Sequence, residues 1–204
     1  TTMVLGDKEI IAHGNGYIED IQCGLRFRLS PKSFYQINHE QTEKLYNRAI
    51  ELADIKKTDK VFDAYCGIGT IGLIASKTAM EVVGVDLNED AVKNATINAQ
   101  LNDITNARFY KGDAGHFMNE IAKENVKFDT VFMDPPRSGS DEKFLSSVVR
   151  LAPKKVIYIS CNPVTQETDL KYLVDRGYKV ERIVPVDMFP QTYHVESIVK
   201  LTRK

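Results

Sequence analysis

Residues 60–72 read KVFDAYCGIGTIG, and this stretch decides the fold. Its first six residues are typical of a short β-strand, and its last residues continue as an apolar helix to Ser76. Between the two, Gly67, Gly69 and Gly72 satisfy the G-x-G-x-x-G pattern in the strand–turn–helix context that this motif requires. Glycines let the backbone approach a ligand closely, so the stretch predicts a cofactor site at a strand end.

Strands and helices alternate along the rest of the chain. After the first strand, further strands that are each followed by a helix are predicted over Glu81–Asp86, Ala107–Lys111, Phe128–Met133 and Lys155–Ser160. This alternation indicates a parallel sheet with helices on both faces. Two final strand-like runs, Lys179–Pro185 and Val195–Leu201, have no helix between them and should pair antiparallel. The predicted fold class is therefore α/β, with a Rossmann-like, mostly parallel sheet whose last strand is antiparallel.

The first part of the chain has a different pattern. Short runs rich in Ile, Tyr and Phe, separated by glycines, predict small strands over Glu9–Ala12, Tyr17–Cys23 and Leu25–Leu29. A helix signature begins at Asn38, a good N-cap, and continues through apolar positions to Ile55. We therefore expect a small N-terminal β-rich segment over residues 1–37 and the cofactor-binding domain over residues 38–204.

Composition excludes several classes of protein. The 204 residues are 43% apolar and 27% charged, which is typical of a soluble globular domain and not of a disordered chain. We predict no membrane span, because no apolar run approaches about 20 residues. Three scattered cysteines fit a reducing, cytoplasmic compartment and predict neither a disulfide scaffold nor a metal site. The net charge of −1 indicates no strongly basic nucleic-acid binder overall.

Acidic residues at strand ends suggest which cofactor binds. Asp86 closes the second strand of the alternating series, where it can bind the two hydroxyls of a ribose. Asp113 follows the third strand, where it can take an adenine amino group. Asp63, four positions before the first glycine, suits a cationic sulfonium and ammonium better than a pyrophosphate. The residues thus favour S-adenosylmethionine over a dinucleotide; acids that only cap helices are the alternative.

Two other strand ends carry residues suited to chemistry on a planar ligand. Asp134-Pro135-Pro136-Arg137 is a rigid turn with two amide donors removed, and we expect it to hold a base. Cys161 precedes Asn162 and Pro163, an N-cap and first helical residue. A thiol beside a helix N-terminus should have a lowered pKa, so Cys161 is the nucleophile candidate.

The last strand should begin at the same edge of the sheet, because it runs antiparallel. Glu196 near its start is then a candidate general base for the thiol site. His194 can share the side of Glu196, although a hydrogen bond to its own turn is the simpler role. We interpret Cys23 and Cys66 as packing residues.

Five segments in order together resemble the RNA uracil-5 methyltransferases, which make 5-methyluridine. These segments are FYQIN (34–38), DAYCGIG (63–69), DPPRSG (134–139), ISCNP (159–163) and DMFPQTYHVE (187–196). The resemblance covers essentially the whole chain and implies a class I methyltransferase domain over residues 38–204. It implies that S-adenosylmethionine is the donor and RNA the substrate, with large-subunit (23S) ribosomal RNA favoured over tRNA.

The resemblance also implies residue roles. Cys161 would be the nucleophile and Glu196 the base. It also implies that Gln36, Tyr65, Asp86 and Asp134 bind the cofactor. The glycine turn and the strand ends add Gly67, Gly69 and Asp113 as cofactor-binding candidates, and Asp134, Pro135 and Arg137 are the substrate-binding candidates. A uridine inside an RNA fold is out of reach, so the target should be unpaired or flipped into the cleft.

The family usually has an N-terminal RNA-binding β-barrel and in some members an iron–sulfur cluster, neither of which fits in this chain. We therefore expect a catalytic-domain fragment, with residues 1–37 as the remnant of a central domain. Oligomeric state is not predicted beyond a default monomer. Three alternatives stay open: an amino-group methyltransferase acting on adenine or protein glutamine, a non-catalytic RNA-binding module, and a dinucleotide oxidoreductase.

Overall fold

In the computed structural model, which describes residues 10–124 and 126–204, nine strands form two sheets. The strands are β1 (Ile18–Gln22), β2 (Leu25–Leu29), β3 (Lys60–Ala64), β4 (Glu81–Asp86), β5 (Ala107–Lys111), β6 (Thr130–Met133), β7 (Lys155–Ser160), β8 (Tyr178–Val186) and β9 (Glu196–Arg203). The first two form a hairpin, and the other seven form one sheet in the order β5-β4-β3-β6-β7-β9-β8. The order reverses between β3 and β6, which is where α/β sheets open a crevice for ligands.

The sheet confirms the predicted topology. Strands β3 to β7 pair in parallel, whereas β9 lies antiparallel to both β7 and β8. The central strands are apolar on both faces because helices cover both sides, and every residue of β6 is buried. The edge strand β8 accommodates Pro185 and an irregularity between Val180 and Arg182, features tolerated at a sheet edge.

Six helices flank the sheet in the described ranges. They are α1 (His39–Ala53), α2 (Thr70–Ser76), α3 (Glu89–Leu101), α4 (Ala114–Lys123), α5 (Glu142–Leu151) and α6 (Pro163–Val174). The predicted caps Asn38 and Asn162 are confirmed, since each accepts a hydrogen bond from a first-turn amide, and Asn88 caps α3 in the same way. Ile55 was expected on α1 but lies beyond its end, because Asp54 adopts a left-handed φ of 45° and stops the helix.

The hairpin β1–β2 packs against α3. Two asparagine side chains of the helix region accept hydrogen bonds from the β2 backbone, Asn98 from Arg28 at 2.6 Å and Asn102 from Arg26 at 2.8 Å. Phe27 is fully buried in the core that the hairpin shares with α1. The predicted strand over Glu9–Ala12 is wrong for residues 10–12, which form no strand, while residue 9 lies outside the described residues. The boundary between residues 37 and 38 stays a prediction.

None of the helices within residues 10–124 and 126–204 is long and apolar enough to cross a membrane.

Candidate active site

The carboxyl ends of β3, β6 and β7 meet at one edge of the sheet, because these strands are parallel neighbours. Strand β9 arrives at the same edge from the opposite direction, with Ser197 opposite Ser160 in the ladder. The next pair in this antiparallel register is Glu196 and Cys161. The fold thus brings together the two residues predicted as base and nucleophile, although 34 residues separate them in the sequence.

The glycine turn after β3 has an unusual backbone. Tyr65, Gly67 and Gly69 all have a positive φ, of 60°, 54° and 84°. Tyr65 is a bulky residue, so its left-handed conformation is costly and must be held by its surroundings. Asp86 holds the turn, because its carboxylate accepts a hydrogen bond from the amide of Gly67 at 2.9 Å and another from Asn88 at 2.8 Å.

Close packing explains two of the glycines. A Cβ at Gly69 would lie 2.9 Å from the ring of Phe109 on β5, and one at Gly72 would lie 2.8 Å from the carboxylate of Asp63. Asp63 is 1% exposed and accepts a hydrogen bond from the Gly72 amide at 2.8 Å. Its carboxylate is therefore buried next to the glycine turn and hydrogen-bonded to the first turn of α2.

The other predicted cofactor residues lie on separate elements. Asp113 is the N-cap of α4, accepting from the amide of His116 at 2.7 Å, which matches the capping alternative for this acid. The Tyr65 ring packs at 5.1 Å from that of Phe144, and burial raises the pKa of Tyr65 to about 12. Gln36 is half-buried in the connection before α1.

The loop after β6 is fixed to the start of α6 by residues that sequence reasoning missed. Asp169 is 5% exposed, and its carboxylate accepts hydrogen bonds from the Ser140 amide at 2.9 Å and the Tyr158 hydroxyl at 2.6 Å. Asn162 donates from its side chain to the carbonyl of Arg137 at 2.9 Å. The loop that carries Asp134 and Arg137 is therefore locked against the turn that carries the thiol. The burial of Asp169 is visible only in the structure, so its role in joining the two loops has no local signal in the sequence.

The electrostatics at Cys161 differ from the prediction. Burial raises the pKa of the Cys161 thiol and so does the nearby charge of Glu196, whereas a hydrogen bond and the charge of Arg137 lower it. The prediction that the helix N-terminus lowers this pKa is thus wrong. The thiol is half-buried and lies close to a carboxylate, and both conditions disfavour the thiolate.

Three carboxyl groups near the centre have raised pKa values. Burial is the first cause in each case; it raises the pKa of Asp134 to about 8 and that of Asp63 to about 7. The Glu196 pKa is also raised, against the opposing charge of Arg137. The charges of Glu196 and Asp63 add to the effect on Asp134. Crowded, buried carboxyls of this kind favour a cationic ligand and would repel a pyrophosphate.

A cavity of about 360 Å³ opens beside the thiol. Its lining residues are Arg137, Cys161, Asn162, Pro163, Tyr193, His194 and Val195. The hydrogen bond of His194 to its own turn comes from its backbone amide, which donates to the Thr192 hydroxyl at 3.2 Å, and not from the side chain as predicted. The residue also lines the cavity. A cavity of this size lies at the small end of ligand sites and can admit a single ring system beside Cys161.

Comparison with known proteins gives relatives at high identity. The chain is 47% identical to an uncharacterized RNA methyltransferase of Lactobacillus johnsonii and 46% identical to one of Caldanaerobacter subterraneus subsp. tengcongensis, covering 100% of this chain and 45% of each relative. The chain thus spans about half the length of the curated relatives it matches.

Solved structures agree. The tRNA (uracil-54, C5)-methyltransferase of Pyrococcus abyssi, in complex with S-adenosyl-L-homocysteine, superposes with a TM-score of 0.78 at 33% identity, over 93% of this chain and 45% of that chain. A tRNA m1G37 methyltransferase of M. jannaschii, at 14% identity and a TM-score of 0.69 over 97% of this chain and 60% of that one, shares the fold. Residues 11–204 match the description tRNA (uracil-5-)-methyltransferase, and the chain therefore belongs to that family.

Proposed function

We propose that this chain is the catalytic domain of an S-adenosylmethionine-dependent enzyme that methylates C5 of uridine in RNA. The observation that carries the proposal is the β7–β9 register, which ends at Ser160 and Ser197 and so leads to Cys161 and Glu196 at the cleft, where the charge of Glu196 raises the pKa of the thiol. Family membership supports the uracil target, and the relatives named as RNA methyltransferases support RNA as the substrate.

The residues present fit the cofactor. Its sulfonium and ammonium charges suit the crowded carboxyls of Asp63 and Asp134, whose pKa values are raised by burial and by neighbouring carboxyl charges. Gly67 leaves open space where a Cβ would stand, and Asp86 next to it can take ribose hydroxyls. Gln36, Tyr65 and Asp113 complete the proposed cofactor set at the places described above. When bound, S-adenosylmethionine supplies an electrophilic methyl group.

C5 of uracil is a poor nucleophile toward a methyl group, and Cys161 would activate it. Its thiolate adds to C6 of the uracil ring, which forms a sulfur–carbon bond and delocalises the electron pair onto C5 and the O4 oxygen. C5 would then form a carbon–carbon bond to the methyl group with this electron pair, and the methyl–sulfur bond of the cofactor would break with its pair left on sulfur. Arg137, which lowers the thiol pKa, favours the thiolate once the substrate excludes water.

Glu196 completes the reaction. Its carboxylate removes the proton from C5, and the electron pair expels the Cys161 thiolate from C6, which restores the aromatic ring and frees the enzyme. The raised pKa of Glu196 makes it a better proton acceptor than an exposed glutamate. Asp134 and Pro135 would form one wall for the base.

The experiment that tests the proposal measures tritium release from RNA that contains [5-³H]uridine, together with methyl uptake from the cofactor. Transcripts of large-subunit ribosomal RNA and of tRNA are supplied in parallel. We expect equal amounts of tritium released and methyl incorporated, with more turnover on ribosomal RNA. Preference for tRNA would overturn only the choice of RNA.

Other outcomes identify the competing functions. Methyl incorporation without tritium release would indicate an amino-group methyltransferase and contradict the proposal. Binding of cofactor and RNA without either signal would indicate a non-catalytic module. The matched variant Glu196→Gln should methylate about one equivalent of RNA and then remain covalently attached to it, because proton removal and release of the thiolate are coupled.

A further inference from the structure

Tyr193 is the most exposed aromatic side chain at the cavity. Its exposed fraction is 89%, and its ring lies against the imidazole of His194, with centroids 4.2 Å apart and planes inclined by 38°. A single exposed apolar residue is ordinary on a protein surface. Tyr193 differs because it lines the 360 Å³ cavity that also contains Cys161.

The turn beneath Tyr193 is stiff. The Thr192 hydroxyl donates to the carbonyl of Phe189 at 2.7 Å and accepts from the amide of His194 at 3.2 Å. Gln191 holds a left-handed φ of 70°, a conformation that a residue with a side chain adopts only when its surroundings require it.

The start of this turn is anchored in the core. Met188 is fully buried, and its carbonyl accepts a hydrogen bond from the side chain of Asn38 at 2.7 Å. The backbone that carries Tyr193 is therefore anchored before any ligand arrives, which reduces the conformational entropy lost when a partner packs on the ring.

The charge of the cavity favours a nucleic acid. Its lining includes the cationic Arg137 and no carboxylate. Glu196 is buried and is not among the lining residues, and Arg137 opposes its charge. The partner that combines flat apolar rings with a negatively charged backbone is a single-stranded nucleotide segment.

We propose that Tyr193, backed by the His194 ring, is a stacking platform for the unpaired base that flanks the target uridine. The inference rests on the proposed function and extends it by naming the second nucleotide that the site recognises. Stacking of a base on an aromatic ring is independent of its sequence, so the platform selects an unpaired neighbour and not a particular base. It also helps to keep the target out of its stack while Cys161 reacts.

The test is a double-mutant cycle that combines substitutions of Tyr193 in the protein with removal of single bases from the RNA. Hairpins with one loop uridine are made in three forms, with both flanking bases present, with an abasic site on the 5′ side, and with an abasic site on the 3′ side. Methyl transfer is measured for the wild type, Tyr193→Ala and Tyr193→Phe. The control is Tyr110→Ala, which removes a 42% exposed tyrosine from the edge strand β5.

We expect Tyr193→Ala to lower kcat/KM on the intact hairpin by about 5- to 150-fold, the range measured for loss of one base–aromatic stack. Tyr193→Phe and Tyr110→Ala should stay within about 2-fold of the wild type, since stacking needs only a ring at position 193. On one of the two abasic hairpins, wild type and Tyr193→Ala should become equal.

Equal activity of Tyr193→Ala and the wild type on the intact hairpin would overturn the platform. So would a loss that is the same on all three hairpins, because that would be a defect of the turn. Both results leave the proposed function standing. Failure of the wild type to methylate any hairpin would overturn the proposed function, and the platform with it.

Discussion

The two halves of the cleft use similar acidic residues in opposite ways. At the ends of β3, β4 and β5, the carboxylates of Asp63, Asp86 and Asp113 each accept a hydrogen bond from a backbone amide. At the ends of β6 and β9, the carboxyls of Asp134 and Glu196 accept no hydrogen bond from residues 10–124 or 126–204. We call the first group the scaffold half, because its carboxylates are hydrogen-bonded to the backbone. We call the second group the reactive half, because its carboxyls have no such bonds and can bind a ligand or substrate.

This difference indicates that ligand affinity and chemical reactivity depend on different residues of the cleft. A carboxylate that is already bonded to the backbone shapes a turn, and its removal should alter binding and stability. The carboxyls of Asp134 and Glu196 and the thiol of Cys161 lack backbone bonds of this kind and have raised pKa values, which suits groups that bind a ligand or transfer a proton. Asp63 combines both properties, because burial raises its pKa to about 7 although the Gly72 amide donates to it. Substitutions in the two halves should therefore affect different measurements.

The largest effect is expected in the reactive half. Cys161→Ala should lower methyl transfer to RNA by at least about 10³-fold, because the ring cannot be activated without the nucleophile. Cofactor affinity, measured by calorimetry, should stay within about 2-fold. Cys23→Ala removes a half-buried thiol of the hairpin region and is the matched control, with activity close to the wild type.

A second substitution should destabilise the scaffold half. Gly69→Ala places a methyl group 2.9 Å from Phe109 at a φ of 84°, and should lower the free energy of unfolding by about 2–4 kcal/mol. Gly14→Ala has a similar φ of 80° with no atom within 4 Å, so it should show only the backbone part, about 1–2 kcal/mol. Equal losses in urea unfolding would contradict the packing account of the glycine turn.

The pH dependence of stability should sharpen the comparison. The pKa of Asp134 is raised to about 8 in the folded protein, far above its ordinary value, so the folded state binds more protons between about pH 4 and 8. The free energy of unfolding should therefore fall as the pH rises through this window. Asp134→Asn should reduce that fall by at least about 1 kcal/mol between pH 5 and 8, measured by urea unfolding.

The same cluster predicts proton release on binding. A sulfonium near Asp134 and Asp63 favours their ionised forms, so S-adenosylmethionine should release protons at pH 7. S-adenosylhomocysteine lacks that charge and should release fewer. Calorimetry in two buffers with different ionisation enthalpies measures the number, and equal release by the two ligands would contradict the cluster's role.

The smallest effect concerns Asp113. Asp113→Ala removes the N-cap of α4 and should lower the free energy of unfolding by about 1 kcal/mol. Asp113→Asn keeps a capping oxygen and should be nearly neutral in thermal unfolding. Any further loss of cofactor affinity that Asp113→Asn shows beyond its stability effect measures a direct contact with the adenine.

Much of this arrangement could be predicted from the sequence. Strand periodicity, helix caps and the absence of a helix between β8 and β9 determine the topology, because these are local signals. The pairing of Cys161 with Glu196 followed from the antiparallel direction of β9. These inferences succeeded because the carboxyl ends of neighbouring parallel strands meet at one edge.

The parts that failed depend on contacts distant in sequence. The lowered pKa of Cys161 was predicted from the adjacent helix N-terminus alone. Burial and the charge of Glu196, the first residue of β9, raise this pKa instead. The role of Asp169 in joining two loops needs α6 to pack beside the loop after β6. Residues 10–12 read as a strand but have no partner strand in the described structure, and β-pattern alone does not supply one.

The central claim is that Cys161 attacks C6 of a uracil whose C5 then takes the methyl group. The most direct measurement is intact-mass spectrometry of the chain after incubation with S-adenosylmethionine and an RNA hairpin containing 5-fluorouridine in an unpaired loop. Fluorine cannot leave C5 as a proton does, so a methylated protein–RNA adduct should persist in the wild type and be absent in Cys161→Ala. An adduct that survives in Cys161→Ala, or methylation of ordinary RNA without any trapped adduct on the fluorinated hairpin, would contradict it.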